Sequence, residues 1–141
     1  MNILVINGPN LNMLGIREPE IYGSKSYNDL VNLLLDYASE RKIHLEVYQS
    51  NHEGEIIDLL QDKRDAFHRL IINPGAYTHY SYAIRDAITS CRYDAIEVHL
   101  SDIHHREDFR KISVIQDVCV KQISGKGFDG YLEAIDHFLK G

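Results

Sequence analysis

The chain has 141 residues, and its 15 Lys and Arg against 21 Asp and Glu give a formal net charge of −6. This length is enough to bury a core without disulfide or metal support, and no run approaches the roughly 18 apolar residues of a membrane span. Net acidity without a basic stripe argues against a duplex nucleic acid partner, whose phosphates bind clustered Lys and Arg.

The two cysteines and the absence of linkers bound the organisation of the chain. Cys91 and Cys119 lie in apolar runs without CxxC spacing, which favours free core thiols in a reducing compartment over a disulfide or a zinc site. No secretory signal, repeat or low-complexity tract is apparent. We therefore expect one domain over residues 1–141, located in the cytoplasm.

Five short β-rich runs alternate with helical patterns along the chain. The runs cover residues 3–7, 44–49, 70–73, 95–100 and 118–123. In the clearest helix, apolar residues repeat at 27, 30, 31, 34 and 38, and Ser26 with Asp29 forms a capping box. Weaker helical patterns cover 55–65, 79–91, 106–112 and 130–139. The alternation predicts a flavodoxin-like α/β sandwich of three layers, with a five-stranded parallel sheet in the order 2-1-3-4-5.

This topology predicts the place of a binding site. Ligands of open α/β sheets bind beyond the carboxyl ends of the strands, where the strand order reverses between the first and third strands. In this chain those ends are residues 7–10, 73–75 and 99–101, which are polar or contain Gly and Pro. We expect the chemistry to lie there.

The segment from Gly8 to Lys25 has no clean periodicity. A connection longer than about 12–15 residues usually closes over an active site or is disordered. This one carries Arg17, Glu18 and Tyr22, although a surface loop with a solvated Arg and a packed Tyr explains the composition equally well. Its glycine spacing matches neither a Walker loop nor GxGxxG, so nucleotide phosphates are not the obvious ligand.

A second polar group follows the third predicted strand. His79 and Asp86 are seven residues apart in a predicted helix, which would place both on one face. Asn73 ends the strand, and Gly75 allows a close turn. Such a cluster at a helix N-terminus suits hydroxyl or carboxylate groups. Taken singly, each residue also has a structural explanation: Asn73 closes a turn, and Asp86 pairs with a surface cation.

The fourth predicted strand carries the most informative pattern. Glu97 and His99 alternate onto one side of it, as a general acid and its orienting carboxylate require. Arg106 and Arg110 follow at i and i+4 of a predicted helix, so that both guanidinium groups could face an anion. The alternatives are a buried, mutually satisfied Glu–His pair and a solvated helix face.

Two other classes of protein remain open on these residues. A metal-dependent hydrolase would use Glu97 with His99, His104 and His105, but no HExxH spacing is present. A flavodoxin-like module that binds FMN or accepts a phosphoryl group would need a phosphate-binding loop after the first strand or an acidic pocket, and the chain offers neither convincingly.

Three sequence blocks match a known family. They are NGPNLNMLGIREPEIYG at 7–23, INPGAYTH…RDAI at 72–88 and EVHLSDIHHREDFRKIS at 97–113. In this order they closely resemble the type II 3-dehydroquinate dehydratases, small flavodoxin-like enzymes of the shikimate or quinate pathways. The resemblance implies dehydration of the small molecule 3-dehydroquinate to 3-dehydroshikimate, without cofactor or metal, in a homododecamer built as a tetramer of trimers.

The resemblance also implies residue roles. Tyr22 would be the base, with Arg17 as its activating cation, and His99 the general acid beside Glu97. Asn10 would help to hold a water against the enolate oxygen. The positions matched to substrate binding are Asn10, Asn73, Gly75, His79, Asp86, Leu100, Ser101, Arg106 and Arg110, with Leu100 and Ser101 acting through backbone N–H groups.

A few positions depart from the family pattern. Asp102 stands where the family usually has Asn, and Tyr80, Tyr82 and His105 stand where small residues are more common. A carboxylate facing the substrate's carboxylate would weaken binding. We therefore expect Asp102 to turn outward or to pair with an Arg or a His.

Overall fold

The computed structural model describes residues 1–16 and 25–141. Within them, a parallel sheet of five strands has the order β2-β1-β3-β4-β5, which confirms the predicted flavodoxin-like topology. The strands are β1 (Asn2–Asn7), β2 (His44–Gln49), β3 (Arg69–Asn73), β4 (Asp94–His99) and β5 (Lys121–Ser124). The α-helices are α1 (Tyr27–Glu40), α2 (Glu53–Lys63), α3 (Tyr82–Ser90) and α4 (Asp129–Lys140).

Alternate residues of β1 belong to two different hydrophobic cores. Ile3 and Val5 pack in a cluster with residues of α1 and α4, whereas Leu4 and Ile6 pack in a cluster with residues of α2 and α3. Because side chains alternate across a strand, the sheet is covered by helices on both faces. The predicted three-layer arrangement is therefore confirmed.

Helix α1 begins and packs as its sequence predicts. The Ser26 hydroxyl accepts a hydrogen bond from the Asp29 N–H at 3.1 Å, and the Asp29 carboxylate accepts one from the Ser26 N–H at 2.9 Å. This is a complete capping box. Leu30, Leu34 and Ala38 from the apolar stripe are buried against the sheet.

The helix predicted over 79–91 begins only at Tyr82, so that prediction is wrong at its start. Gly75–His79 forms a separate 3-10 turn, and the Ser81 hydroxyl caps α3 by accepting a hydrogen bond from the Ile84 N–H at 3.0 Å. His79 and Asp86 therefore do not share a helix face. A capping serine inside a weak helical pattern fixed the boundary three residues later than periodicity suggested.

The prediction of a helix over 106–112 is also wrong. This region contains two 3-10 turns, Ile103–His105 and Asp108–Arg110, separated at Arg106 by extended backbone with φ −104° and ψ −164°. Between residues 106 and 112 the apolar side chains, Phe109 and Ile112, are exposed. A short helix without an apolar stripe to bury gains little stability from the rest of the fold.

Smaller departures concern β5 and the cysteines. Gln116–Val118 forms a 3-10 turn, so β5 starts at Lys121 rather than at residue 118. Cys91 and Cys119 are free and half-buried, and both pack against the core on the α2–α3 side. Burial raises the pKa of the Cys119 thiol to about 12. Within residues 1–16 and 25–141, no helix has the length and apolar character to cross a bilayer.

Candidate active site

A cavity of about 120 Å³ opens beyond the carboxyl ends of β1, β3 and β4. The strand register brings these ends together, because Asn7 pairs with Asn73 and Ile72 pairs with Glu97. Most of the predicted site residues line this cavity. They are Asn10, Asn73, Gly75, His79, His99, Leu100, Ser101, Arg106 and Arg110.

Two glycines allow the segments after β1 and β3 to touch. The Gly8 N–H donates to the Asn73 carbonyl at 2.7 Å, and a Cβ on Gly8 would lie 2.5 Å from the Pro74 carbonyl oxygen. Gly75 has φ +60°, and a Cβ there would lie 3.0 Å from the Pro9 carbonyl oxygen. Since only glycine fits this approach, Gly75 shapes the cavity through its backbone.

The Asn73 side chain is held by hydrogen bonds at both ends of its amide. Its Oδ1 accepts from the Gly75 N–H at 3.1 Å, and its Nδ2 donates to the Tyr131 hydroxyl at 3.1 Å. That hydroxyl in turn donates to Asn7 Oδ1 at 2.6 Å. The chain of bonds fixes which end of the amide is the donor, and one Nδ2–H remains for a ligand. Sequence reasoning missed Tyr131, because a tyrosine at helical spacing is typical of the core.

Glu97 and His99 form the predicted pair. His99 Nε2 lies 2.5 Å from Glu97 Oε2, and the exposed fractions of the two residues are 6% and 0%. Two hydroxyls that sequence reasoning missed also reach the carboxylate. Thr78 donates to Oε2 at 2.6 Å, and the Ser113 hydroxyl lies 2.9 Å from Oε1 and 2.8 Å from Oε2.

The surroundings of the buried Glu97 carboxyl favour its ionised form. Burial alone would raise the pKa of Glu97, but the hydrogen bonds and charge of His99, with the hydroxyls of Thr78 and Ser113, bring it below its ordinary value. The negative charge lies directly against the His99 ring. A carboxylate in this position can orient an imidazole ring for proton transfer.

His79 offers a different kind of contact. Its Nδ1–H donates to the Ile112 carbonyl at 2.7 Å, and its ring meets that of Phe109 edge-on with centroids 6.3 Å apart. Burial lowers the pKa of His79, against the hydrogen bond to Ile112 that raises it. A neutral ring with Nδ1–H already used leaves Nε2 as an acceptor, which suits a ligand hydroxyl.

Two arginines contribute positive charge to the rim of the cavity. Arg106 and Arg110 both line it, although Arg106 has extended backbone and Arg110 lies in a 3-10 turn, so they do not share a helix face. Arg110 Nε lies 2.9 Å from Glu107 Oε2, as a charge contact without hydrogen-bond geometry. Guanidinium groups at the mouth of a pocket favour an anionic ligand such as a carboxylate.

Three predicted site residues are not among those that the structure brings to this cavity, one because of its position and two because the structure does not describe them. Asp86 is exposed on α3 and is not among the residues that line the cavity. Arg17 and Tyr22 lie outside the described residues.

The Asp102 side chain contacts its own 3-10 turn and pairs with a histidine, as expected. Its carboxylate accepts from the His104 N–H at 2.9 Å and lies 3.3 Å from His105 Nε2. Within residues 1–16 and 25–141, no three His, Cys, Asp or Glu side chains converge as metal ligands.

Comparison with known proteins gives consistent matches over nearly the whole length. A family model described as Dehydroquinase class II matches residues 1–139. A 3-dehydroquinate dehydratase of Thermotoga petrophila is 54% identical over 140 residues, covering 99% of this chain and 96% of that protein. The type II dehydroquinase structure from Butyrivibrio crossotus has a TM-score of 0.95 at 55% identity, covering 97% of this chain and 96% of the other. The one from Propionibacterium acnes has a TM-score of 0.95 at 38% identity, covering 99% and 97%.

Proposed function

This chain belongs to the class II dehydroquinase family, and on that premise we propose that it removes water from 3-dehydroquinate through an enolate to give 3-dehydroshikimate. The observation that carries the proposal is the buried Glu97–His99 pair, which borders a cavity with two arginines at its rim. In this proposal residues 1–141 act as one catalytic domain in a cytoplasmic homododecamer. The pathway it serves is the shikimate or the quinate pathway.

The acid half of the reaction belongs to His99. Its Nε2 is held by Glu97, so Nδ1 is the ring nitrogen left for the substrate. The enolate then re-forms the ketone, and its carbon–carbon electron pair forms the new double bond as the bond from carbon to the leaving hydroxyl breaks. The imidazolium gives that oxygen a proton, and water departs. Glu97 holds the ring in place and stabilises its cationic form before transfer.

The base half belongs to Tyr22 and Arg17, and it rests on the sequence match. Tyr22 takes the proton α to the ketone, and the electron pair moves onto the carbonyl oxygen as the enolate. An unperturbed tyrosine has a pKa near 10, so the phenolate needs help at neutral pH. A desolvated cation such as Arg17 supplies it, since one pKa unit corresponds to about 1.4 kcal/mol. We assign Asn10 to a water that holds the enolate oxygen.

The remaining lining residues would bind the substrate. Arg106 and Arg110 suit its carboxylate, and the backbone N–H groups of Leu100 and Ser101 suit an anion or a hydroxyl. His79 Nε2 and the free Nδ2–H of Asn73 offer one acceptor and one donor for its hydroxyls. Because Asp86 is exposed away from this cavity, we expect it to meet a substrate only in a neighbouring copy of the chain.

The test is direct. Purified protein is mixed with 3-dehydroquinate, and the ultraviolet absorbance of the conjugated enone product is followed. We expect a steady rise whose rate is unaffected by borohydride or by a metal chelator, since neither an imine nor a metal takes part in the proposed reaction. Folded protein without that signal would contradict the proposal.

The base assignment has its own test. Tyr22→Phe removes only the hydroxyl, so we expect kcat to fall by orders of magnitude while KM changes modestly. Arg17→Ala should also lower kcat, because the phenol then stays protonated. Near-normal turnover of the Tyr22→Phe variant would reject Tyr22 as the base.

A further inference from the structure

Glu97 is held by two hydroxyls that come from different segments of the chain. Thr78 lies in the 3-10 turn Gly75–His79 and is fully buried, and Ser113 follows the turn Asp108–Arg110. The Val114 N–H donates to the Thr78 carbonyl at 2.8 Å, which ties the two segments together. Both side chains lie behind Glu97, outside the residues that line the cavity.

Three side chains donate to the carboxylate of Glu97. Oε2 accepts from Thr78 at 2.6 Å and from His99. The Ser113 hydroxyl lies 2.9 Å from Oε1, 2.8 Å from Oε2 and 3.1 Å from the Thr78 hydroxyl. The Ser113 oxygen in turn accepts from the Ile115 N–H at 3.3 Å. A hydroxyl has one proton to donate, and both of these hydroxyls can donate theirs to Glu97. An ionised carboxylate, which only accepts, has the capacity for all of these donors.

We propose that Thr78 and Ser113 are positioning residues, which keep Glu97 ionised and aimed at His99 so that His99 retains the proton for the leaving hydroxyl. This inference rests on the function proposed above. Without the hydroxyls, Glu97 could rotate away from the ring or take the proton itself. In either case His99 would no longer be a poised general acid.

A purely structural role explains the network less well. A buried ion is costly even when it is paired, and apolar residues of similar shape in its place are often as stable or more stable. Stability alone therefore gives little reason for an ionised Glu97 with 0% exposure. A carboxylate that must orient an adjacent imidazole does give a reason, since such supporting contacts hold catalytic groups in place.

Two substitutions at Thr78 separate the hydroxyl from the shape of the side chain. Thr78→Val keeps the shape and removes the hydroxyl, whereas Thr78→Ser keeps the hydroxyl and removes a methyl group. We expect Thr78→Val to lower kcat by about 10- to 100-fold, the value of a hydrogen bond to a charged group, with KM changed less than about twofold. Thr78→Ser should stay within about threefold of the wild type in kcat.

Ser113 provides a second, half-buried position that tolerates change more easily. There Ser113→Ala should lower kcat, whereas Ser113→Thr, which keeps a hydroxyl, should retain most of the wild-type kcat. Thr89→Val is the control, since Thr89 is exposed on α3 and its hydroxyl donates to the Arg85 carbonyl. Equal kcat values for Thr78→Val and Thr78→Ser, after correction for the folded fraction, would overturn the inference.

A double-mutant cycle tests whether Thr78 acts through Glu97. If it does, adding Thr78→Val to Glu97→Gln should change kcat by less than about twofold, because the carboxylate it positions is already gone. A further drop equal to that of Thr78→Val alone would show an independent effect and reject the proposed route.

The positioning role can also be tested without measuring turnover. If the wild type fails to dehydrate 3-dehydroquinate, the proposed function fails, and the positioning role is then judged by NMR. We expect the downfield imidazole proton of the His99–Glu97 hydrogen bond in the wild type and in Thr78→Ser, and its shift or loss in Thr78→Val. The same resonance in all three proteins would overturn the positioning role itself.

Discussion

The cavity has a floor at the end of β4 and a rim formed by residues 102–112, and the two are built differently. At the floor, Glu97 and His99 are buried and every bond to the carboxylate comes from a specific donor. The rim consists of short 3-10 turns with exposed Phe109 and Ile112. Burial fixes geometry at the floor, whereas the rim contributes charge that works over a longer distance.

Ion pairs show the same contrast. Lys111 lies 3.3 Å from Asp108 at the rim, with side chains that are 47% and 101% exposed. Pairs of this kind contribute about 0–1 kcal/mol because water screens them. At the floor, His99 and Glu97 form a pair whose side chains are 7% and 0% exposed. Removing one partner would leave a buried charge. We therefore expect floor substitutions to change kcat and rim substitutions to change KM.

The largest effect is expected for the general acid. His99→Ala removes the proton donor for the leaving hydroxyl, so kcat should fall by about 10²- to 10⁴-fold, while KM stays within a few-fold. His105→Ala is the matched control at the rim, where His105 is exposed and pairs with Asp102. Steady-state kinetics on both variants checks the contrast, which fails if the two lose similar activity.

A rim arginine should show the opposite pattern. Arg110→Ala removes a guanidinium from the cavity lining, and we expect KM for 3-dehydroquinate to rise by about 10- to 100-fold, as for one charged hydrogen bond. The change in kcat should be much smaller. Lys111→Ala removes a neighbouring charge that pairs with Asp108 outside the cavity lining, so its KM should stay near that of the wild type. A loss confined to kcat in Arg110→Ala would assign the arginine to the chemistry instead.

The sequence predicts the floor better than it predicts the rim. Strand alternation placed Glu97 and His99 together, because the period of a strand is fixed by its backbone. The spacing of the rim arginines predicts a helix, but no stripe of buried apolar side chains stabilises a helix there. Thr78 and Ser113 were not predictable from spacing, since they reach Glu97 from segments 19 and 16 residues away in sequence. Such contacts depend on how loops cross, which local patterns do not encode.

A smaller effect is expected for Tyr131, whose hydroxyl holds the Asn73 side chain. Tyr131→Phe removes the hydroxyl between Asn73 and Asn7, which leaves buried amide groups unpaired and should lower the free energy of unfolding by about 1–3 kcal/mol. KM should rise as well, since the Asn73 amide can then turn. Tyr93→Phe is the control, because the buried Tyr93 hydroxyl donates to the Leu60 carbonyl at 2.6 Å. Urea unfolding should show similar losses for both, and an unchanged KM in Tyr131→Phe would exclude the orienting role.

The smallest effect, a pH dependence of stability, distinguishes a fully buried carboxylate from a partly buried one. The pKa of Glu97 is lower in the folded chain than its ordinary value of 4.5. Its contribution to stability is therefore fully present above about pH 4.5 and is lost as the pH falls through the folded-state pKa. The stability of the wild type should thus fall relative to Glu97→Gln on acidification below pH 4.5, as measured by urea unfolding at one protein concentration.

Glu46, which is only partly buried, provides the comparison for that measurement. Hydrogen bonds from Tyr48 and Lys63 lower the pKa of Glu46 to about 2, but its side chain is 29% exposed, as is that of Lys63 at 30%. Water screens this pair, so the stability difference between the wild type and Glu46→Gln should vary less with pH than that for Glu97→Gln. If Glu46→Gln shows the larger variation, the partly buried pair contributes more than the fully buried one, and burial does not account for the difference between the floor and the rest of this protein.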